Sequence, residues 1–171
     1  LVLRELLKYT RPVYGTDISH EMLQRIKDTV LRNVPDADVI LKANDFLHLD
    51  LQKNFFDKII SLEVLRYIDD LDACFRNVAR IMKPNSLFVF SVTNLFSTNL
   101  FPMKFWLRKK LGLVNKDKEI LQYFVTEYTL RKKLAKADLT IVDFRRMRLT
   151  PIRYKLERLD AFLSRVPIVK N

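Results

Sequence analysis

Short apolar runs of strand character alternate with longer stretches of helical periodicity along most of this 171-residue chain, and that alternation leaves few folds open. Successive strands separated by helices pair in parallel, and a parallel sheet needs helices over its faces. The expected architecture is therefore α/β: a doubly wound, mostly parallel sheet flanked by helices, in one domain over residues 1–171.

The local signals are specific. Leu3, Leu6, Leu7 and Thr10 share a helical spacing, and Arg11-Pro12 ends that helix. Val13 to Asp17 reads as a strand, with further strands predicted at 38–42, 57–62, 87–93 and 139–146. The apolar character of 59–62 predicts a strand buried on both faces. Ser19 is placed to cap the next helix, with Glu21 in its first turn and Ile18 and Leu23 at the two positions of a hydrophobic staple. Asp69 or Asp70 caps a helix whose apolar stripe is Leu71, Cys74, Phe75, Val78, Ile81 and Met82. Lys83 to Ser86 reads as a stop followed by a tight turn. Thr126 caps a helix to about Ala137, and Tyr154 to Val166 has the pattern of an amphipathic helix.

Composition removes several classes of function. No apolar run approaches the ~18 residues of a membrane span. A single cysteine, Cys74, excludes an internal disulfide and a multi-cysteine zinc site, and a reducing cytoplasm is the simplest compartment. It falls on a helical core stripe and reads as packing, while His20 and His48 read as surface or loop residues; no metal site is expected. Two glycines, Gly15 and Gly112, leave no room for a glycine-rich phosphate loop within these residues. The net charge of +11 is uneven: residues 1–94 hold 13 basic and 13 acidic residues, and residues 95–171 hold 18 and 7. A basic second half suits an anionic partner or a solvated surface equally.

Chemistry gathers where strands end. Asp17 closes the first strand before a helix, the position from which an acid accepts both hydroxyls of a ribose. The same Asp also suits a plain helix-start charge. Asn44-Asp45-Phe46 follows the second strand and offers polar groups to an adenine and a ring face beside it. Ser61-Leu62-Glu63 closes the third strand, with a carboxylate able to orient a substrate or hold a cation. Three such ends in a parallel sheet form one crevice.

These segments carry a resemblance. Val13-Tyr14-Gly15-Thr16-Asp17-Ile18-Ser19 with Met22-Leu23, Ala43-Asn44-Asp45-Phe46, and Phe56 to Leu65 followed by Tyr67-Ile68 and Phe75 to Pro84 are similar, in that order, to class I S-adenosylmethionine-dependent methyltransferases, above all the type 11 group acting on small molecules and lipids. Thr126 to Leu139 resembles the same group's penultimate helix. The resemblance implies a Rossmann-like methyltransferase fold with S-adenosylmethionine as cofactor. Asp17 would then hold the ribose, Ile18, Asn44, Asp45 and Phe46 the adenine, and Leu62 and Glu63 would flank the cofactor, with Tyr67 and Asn94 toward the substrate. It assigns no catalytic base. It also implies that the family's first strand and GxGxG loop lie before Leu1, between the strands at 13–17 and 57–62, and that a last strand lies beyond Asn171. On that expectation the fold is incomplete at both ends and the chain by itself binds the cofactor poorly or not at all. The family's usual Gly-Gly after Lys-Pro is Asn85-Ser86, its glycine after the penultimate helix is Asp138, and its histidine two residues beyond Val-Leu is Tyr67.

Residues 95–120 interleave Phe96, Phe101, Phe105 and Trp106 with Lys104, Arg108, Lys109 and Lys110. They read either as an inserted lid-like segment over the substrate mouth, facing a small-molecule or lipid-like acceptor and making peripheral membrane contact, or as aromatics packed on the domain with the basic residues solvated. Two other readings compete with methyl transfer: a non-catalytic binding domain of the same fold, and a nucleic-acid-binding domain. The second is disfavoured, because the basic residues alternate with large apolar ones and form no recognised module.

Overall fold

The computed structural model describes residues 2–10, 12–29, 32, 34, 38–48, 51–96, 100–114 and 121–145. The chain opens in helix α1 (Val2–Leu6) and, past Pro12, enters strand β1 (Val13–Asp17). Helix α2 (His20–Thr29) starts where Ser19 predicts, its Oγ accepting from the Met22 N–H at 3.2 Å. Strand β2 (Val39–Ala43) lies parallel to β1, with Val13 opposite Val39 and Asp17 opposite Ala43. Gly15 faces Leu41 so closely that a Cβ would stand 2.8 Å from Leu41 Cδ2, so a larger residue there would require the Leu41 side chain to shift.

Strand β3 (Phe56–Ser61) ends in a short 3-10 turn (Leu65–Tyr67), and helix α3 (Leu71–Ile81) follows. Asp70, not Asp69, caps α3, accepting from the Ala73 N–H at 2.9 Å. Strand β4 (Met82–Phe90) runs straight on from α3 and pairs in parallel with β3. The turn expected at Lys83–Ser86 lies inside β4 as an irregularity: Phe56 faces Met82, yet Lys58 already faces Leu87. Asn85 takes the left-handed backbone there, at φ 60°. An asparagine can occupy the place of the family's glycine because it tolerates that conformation.

The two strand pairs form two separate sheets, ordered β1-β2 and β3-β4. β1 and β3 are not hydrogen-bonded to each other, and theirs are the edges between which the family resemblance implies another strand. Their amino ends nonetheless meet. Tyr14 of β1 packs edge-on against Phe55 and Phe56 with ring centroids 5.3 Å apart in both pairs. Helix α3 spans both halves, since Asn77 Nδ2 donates to the Leu47 carbonyl and Arg80 Nη1 to the Leu51 carbonyl.

The core lies around α3. Leu65, Ile68, Leu71, Cys74, Phe75, Val78, Ile81 and Met82 are buried together with Leu130, Leu134 and Ala137. These last three belong to helix α5 (Glu127–Ala135) and its end. Thr126 caps α5, accepting from the Thr129 N–H at 3.1 Å. Asp138 closes it at φ 55° with the Leu139 N–H on the Leu134 carbonyl at 3.0 Å, so the left-handed closure survives without glycine. Lys133 Nζ joins α5 to α3 through Asp72 at 2.8 Å, and that hydrogen bond is the main reason the Asp72 carboxyl titrates below its ordinary value. Burial, helped by the Asp70 charge, pushes the Cys74 thiol up to about 12, as fits a packing residue.

Three expectations are corrected. β3 is covered on one face only: α3 packs on the side of Phe88 and Phe90, with Phe75 5.7 Å from Phe90, and Ile60, Leu87 and Val89 are exposed. The staple fails because Ile18 is 75% exposed above a buried Leu23. Residues 139–145 form no strand, and residues 141–145 belong to a unit apart from Leu1–Thr140. No β-ladder among the described residues includes that stretch, and a strand exists only through its neighbour. Residue 146 and the helix expected at 154–166 lie outside the described residues. No helix among the described residues is long and apolar enough to cross a membrane.

Candidate functional site

At the carboxyl end of the β1–β2 pair, the last rung of the ladder brings Asp17 beside Ala43, and the Asn44 N–H donates to the Asp17 carbonyl at 3.1 Å. The Asp17 carboxylate turns back on its own chain. Its Oδ1 accepts from the Ser19 N–H at 2.9 Å, which shapes the step from β1 into α2. Ile18 stands outward next to it.

Asp45 organises the following loop in the same manner. Oδ1 takes the Leu47 N–H at 2.9 Å, and Oδ2 lies 3.3 Å from His48 Nδ1. The Leu47 hydrogen bond, reinforced by His48, holds the Asp45 carboxyl below its ordinary range. Asn77, thirty positions away on α3, fixes the far end of this loop through the Leu47 carbonyl. Within this ordered turn, Asn44 Nδ2 is buried and has no hydrogen-bond partner among the described residues. A buried amide left unpaired costs stability unless a ligand or water meets it.

The β3–β4 end has its own cluster. Ser91 donates its N–H to the Ser61 carbonyl at 3.0 Å, and its Oγ receives the Glu63 N–H at 2.7 Å. Glu63 sits at φ 60°, a conformation that costs about 1–3 kcal/mol in a residue with a side chain and that clusters at functional sites. Its carboxylate is held at 3.1 Å by Arg66, whose guanidinium also lies 4.9 Å from the Tyr67 ring centroid. Of the two roles open to this carboxylate, orienting a substrate or holding a cation, the Arg66 pair is an instance of the second within the chain. Leu62 and Tyr67 are exposed beside it, and Ser61 Oγ is a second buried polar atom without a partner among the described residues.

Beyond β4 the chain continues alongside a returning segment. Asn94 bridges Val125 in parallel, with Leu95 donating to Val125 at 3.0 Å and Val125 to Thr93 at 3.2 Å. The Tyr123 N–H reaches the Arg66 carbonyl at 2.7 Å, so this segment is tied to the ends of both β3 and β4. Asn94 uses Oδ1 to receive the Phe96 N–H. The residues expected at the site therefore fall in two groups. Asp17, Ile18, Asn44, Asp45 and Phe46 gather at one strand-pair end, and Leu62, Glu63, Tyr67 and Asn94 gather around the other. Arg66, Ser91 and Asn77 were not singled out beforehand. Arg66 follows Glu63 at a spacing of three, which is a readable ion-pair signal; the contacts of Ser91 and Asn77 span 28 and 30 positions and leave none.

Comparison with known proteins identifies a family and a fold. The sequence profile of the family described as "Methyltransferase domain" matches residues 1–90, which contain β1 to β4 and every expected site residue except Asn94. No curated protein sequence matches the chain. Among solved structures, magnesium protoporphyrin IX methyltransferase from Synechocystis PCC 6803 with bound SAH is similar at TM-score 0.61 and 20% identity, over 81% of this chain and 58% of that one. A chain of the complex between the Haloferax volcanii Trm112 methyltransferase activator and a methyltransferase is similar at TM-score 0.60 and 22% identity, over 79% and 54%. An S-adenosylmethionine-dependent methyltransferase from Mesorhizobium loti is similar at TM-score 0.54 and 22% identity, over 73% and 62%. These likenesses show the fold, a Rossmann-like α/β arrangement. The chain spans a little over half the length of the first two structures and 62% of the third.

Proposed function

The chain belongs to the Methyltransferase domain family, and from that membership we propose that it serves in S-adenosylmethionine-dependent methyl transfer to a small-molecule or lipid-like acceptor in the cytoplasm. The observation that carries this reading is the family match itself, because the matched residues include strands β1, β2 and β3, of which β1 ends in Asp17 while Asn44-Asp45 and Glu63 follow the ends of β2 and β3. The bound SAH of the Synechocystis structure supports the same class of cofactor. When bound, S-adenosylmethionine supplies an electrophilic methyl group on a sulfonium.

The chain's own residues bind and orient. Asp17 keeps one carboxylate oxygen on the Ser19 N–H, which aims the group, and the second oxygen accepts from ribose hydroxyls. The unpaired Asn44 amide meets a polar edge of the adenine, with Ile18 and Phe46 covering its faces. Leu62 and Glu63 flank the cofactor from the other strand pair, and the Arg66 and Ser91 contacts keep the Glu63 backbone in its left-handed turn. Tyr67 and Asn94 line the acceptor side. Alignment of the acceptor with the methyl group is the main catalytic contribution such an arrangement makes.

Calorimetry with S-adenosylhomocysteine tests the reading. Asp17→Ala is expected to weaken binding by about 1.5–3 kcal/mol, the usual worth of hydrogen bonds to a charged group. Unchanged affinity in that variant would remove Asp17 from the site and the crevice with it.

A further inference from the structure

Helix α4 (Phe101–Lys110) carries apolar residues on two opposite faces, and among the described residues one of them is buried and the other exposed. Inward, Pro102 and Phe105 are buried, and the Phe105 ring lies 5.8 Å from Phe124. Lys109 is drawn to the same side, with its ammonium 3.7 Å from the Tyr123 ring centroid. Outward, Met103, Trp106 and Leu107 are exposed, and Leu111 continues that face past the end of the helix at 63% exposure. Exposed apolar patches rimmed by polar residues mark interaction sites.

The charges around the outer face are of one sign. Lys104, Arg108 and Lys110 flank it, and Lys110 lies 4.8 Å from the Trp106 ring centroid. From Ala73 to Lys116 the sequence contains no aspartate or glutamate at all. Segments 93–95 and 123–125 lie at the ends of β3 and β4, and Phe105 on Phe124 attaches the inner face of α4 to them.

We propose that the outer face of α4, formed by Met103, Trp106, Leu107 and Leu111 and flanked by Lys104, Arg108 and Lys110, docks on an anionic lipid surface. Apolar side chains enter the headgroup boundary, the cations meet the lipid phosphates, and tryptophan occupies the wet-dry border that suits its ring and N–H. The docking deepens the functional reading by bringing the acceptor side to the place where a lipid-like acceptor resides. Its test involves neither cofactor nor methyl transfer, so either reading can fail while the other stands.

The experiment is sedimentation of the protein with vesicles of phosphatidylcholine alone and with vesicles half phosphatidylglycerol. Fluorescence is read in parallel, because Trp106 is the sole tryptophan. The protein is expected to sediment with the anionic vesicles and not with the neutral ones, and its emission to shift to the blue. The triple change Lys104→Gln, Arg108→Gln, Lys110→Gln is expected to lower partitioning about 100-fold, roughly 5-fold for each charge removed. Leu107→Gln with Leu111→Gln is expected to weaken binding and reduce the shift at unchanged charge; both side chains are exposed, and circular dichroism checks that the fold is kept. No sedimentation with anionic vesicles overturns the proposal. So does sedimentation that leaves the emission unmoved and ignores the leucine pair, the behaviour of a general polyanion site that duplex DNA would also occupy. Emission already blue-shifted without lipid, together with self-association, would give the face to a second copy and equally overturn it.

Discussion

The two strand pairs are built alike and supported very differently. β3–β4 lies against α3, which in turn meets α5, and most of the buried side chains surround that unit, Phe75 and Val78 at its centre. β1–β2 has two strands of five residues, and among the described residues of its own elements and their flanks Leu7, Val13 and Leu23 are the buried ones. Yet the thinner half holds the groups assigned to ribose and adenine. Its order comes from polar contacts at the strand ends, from the Tyr14 aromatic triad, and from Asn77 and Arg80 reaching across from α3. On the proposed reading, stability and recognition are separated: one half supplies the buried base, and the other presents side chains on loops that a ligand would finish ordering.

The change that breaks this contrast most forcefully is Phe75→Ala. Phe75 is fully buried, and its loss is expected to cost about 3–5 kcal/mol in urea unfolding followed by circular dichroism. Because α3 also anchors the loop after β2, both halves should lose structure together. Leu23→Ala, in the thin half, is expected to cost about 2–3 kcal/mol and to act locally. In native-state hydrogen exchange, the β1 and β2 amides should lose protection while those of β3 and β4 keep theirs. If both changes unfold the chain to the same extent, the two halves are one cooperative unit and the contrast fails.

A smaller effect sharpens it through pH. The folded Asp72 carboxyl titrates below its ordinary 3.8, chiefly through its hydrogen bond to Lys133. The ion pair therefore contributes fully above that ordinary value, and its contribution is lost as pH falls through the lower folded value. Asp72→Asn is expected to cost about 1 kcal/mol at neutral pH, since the pair is partly solvent-exposed. The difference between variant and parent should shrink toward zero under acid.

What the sequence discloses follows the range of each interaction. β1 reads at its true bounds because Pro12 and Ser19 punctuate it, and the caps at Ser19, Asp70 and Thr126 act within three residues. Asn85 and Asp138 take the left-handed turns that the family resemblance assigns to glycine, so a single departure from pattern did not move the backbone. Leu139 to Arg145 has strand character and forms no strand, since pairing is decided by a neighbour rather than by the segment. Ile18 matches a staple by position yet projects outward. At the candidate site, Asp17, Asn44 and Glu63 are visible as strand-end residues. The partners that orient them are less so: Ser91 and Asn77 come from other elements, and no local spacing announces them.

The central claim is that the ends of both strand pairs serve one cofactor. Amide chemical-shift mapping during titration with S-adenosylhomocysteine tests it most directly and reads weak as well as tight binding. The account predicts that Asp17, Ile18, Asn44, Asp45 and Phe46 shift along one saturation curve with Leu62 and Glu63. Shifts confined to one strand pair, or arising away from both strand ends, would contradict it.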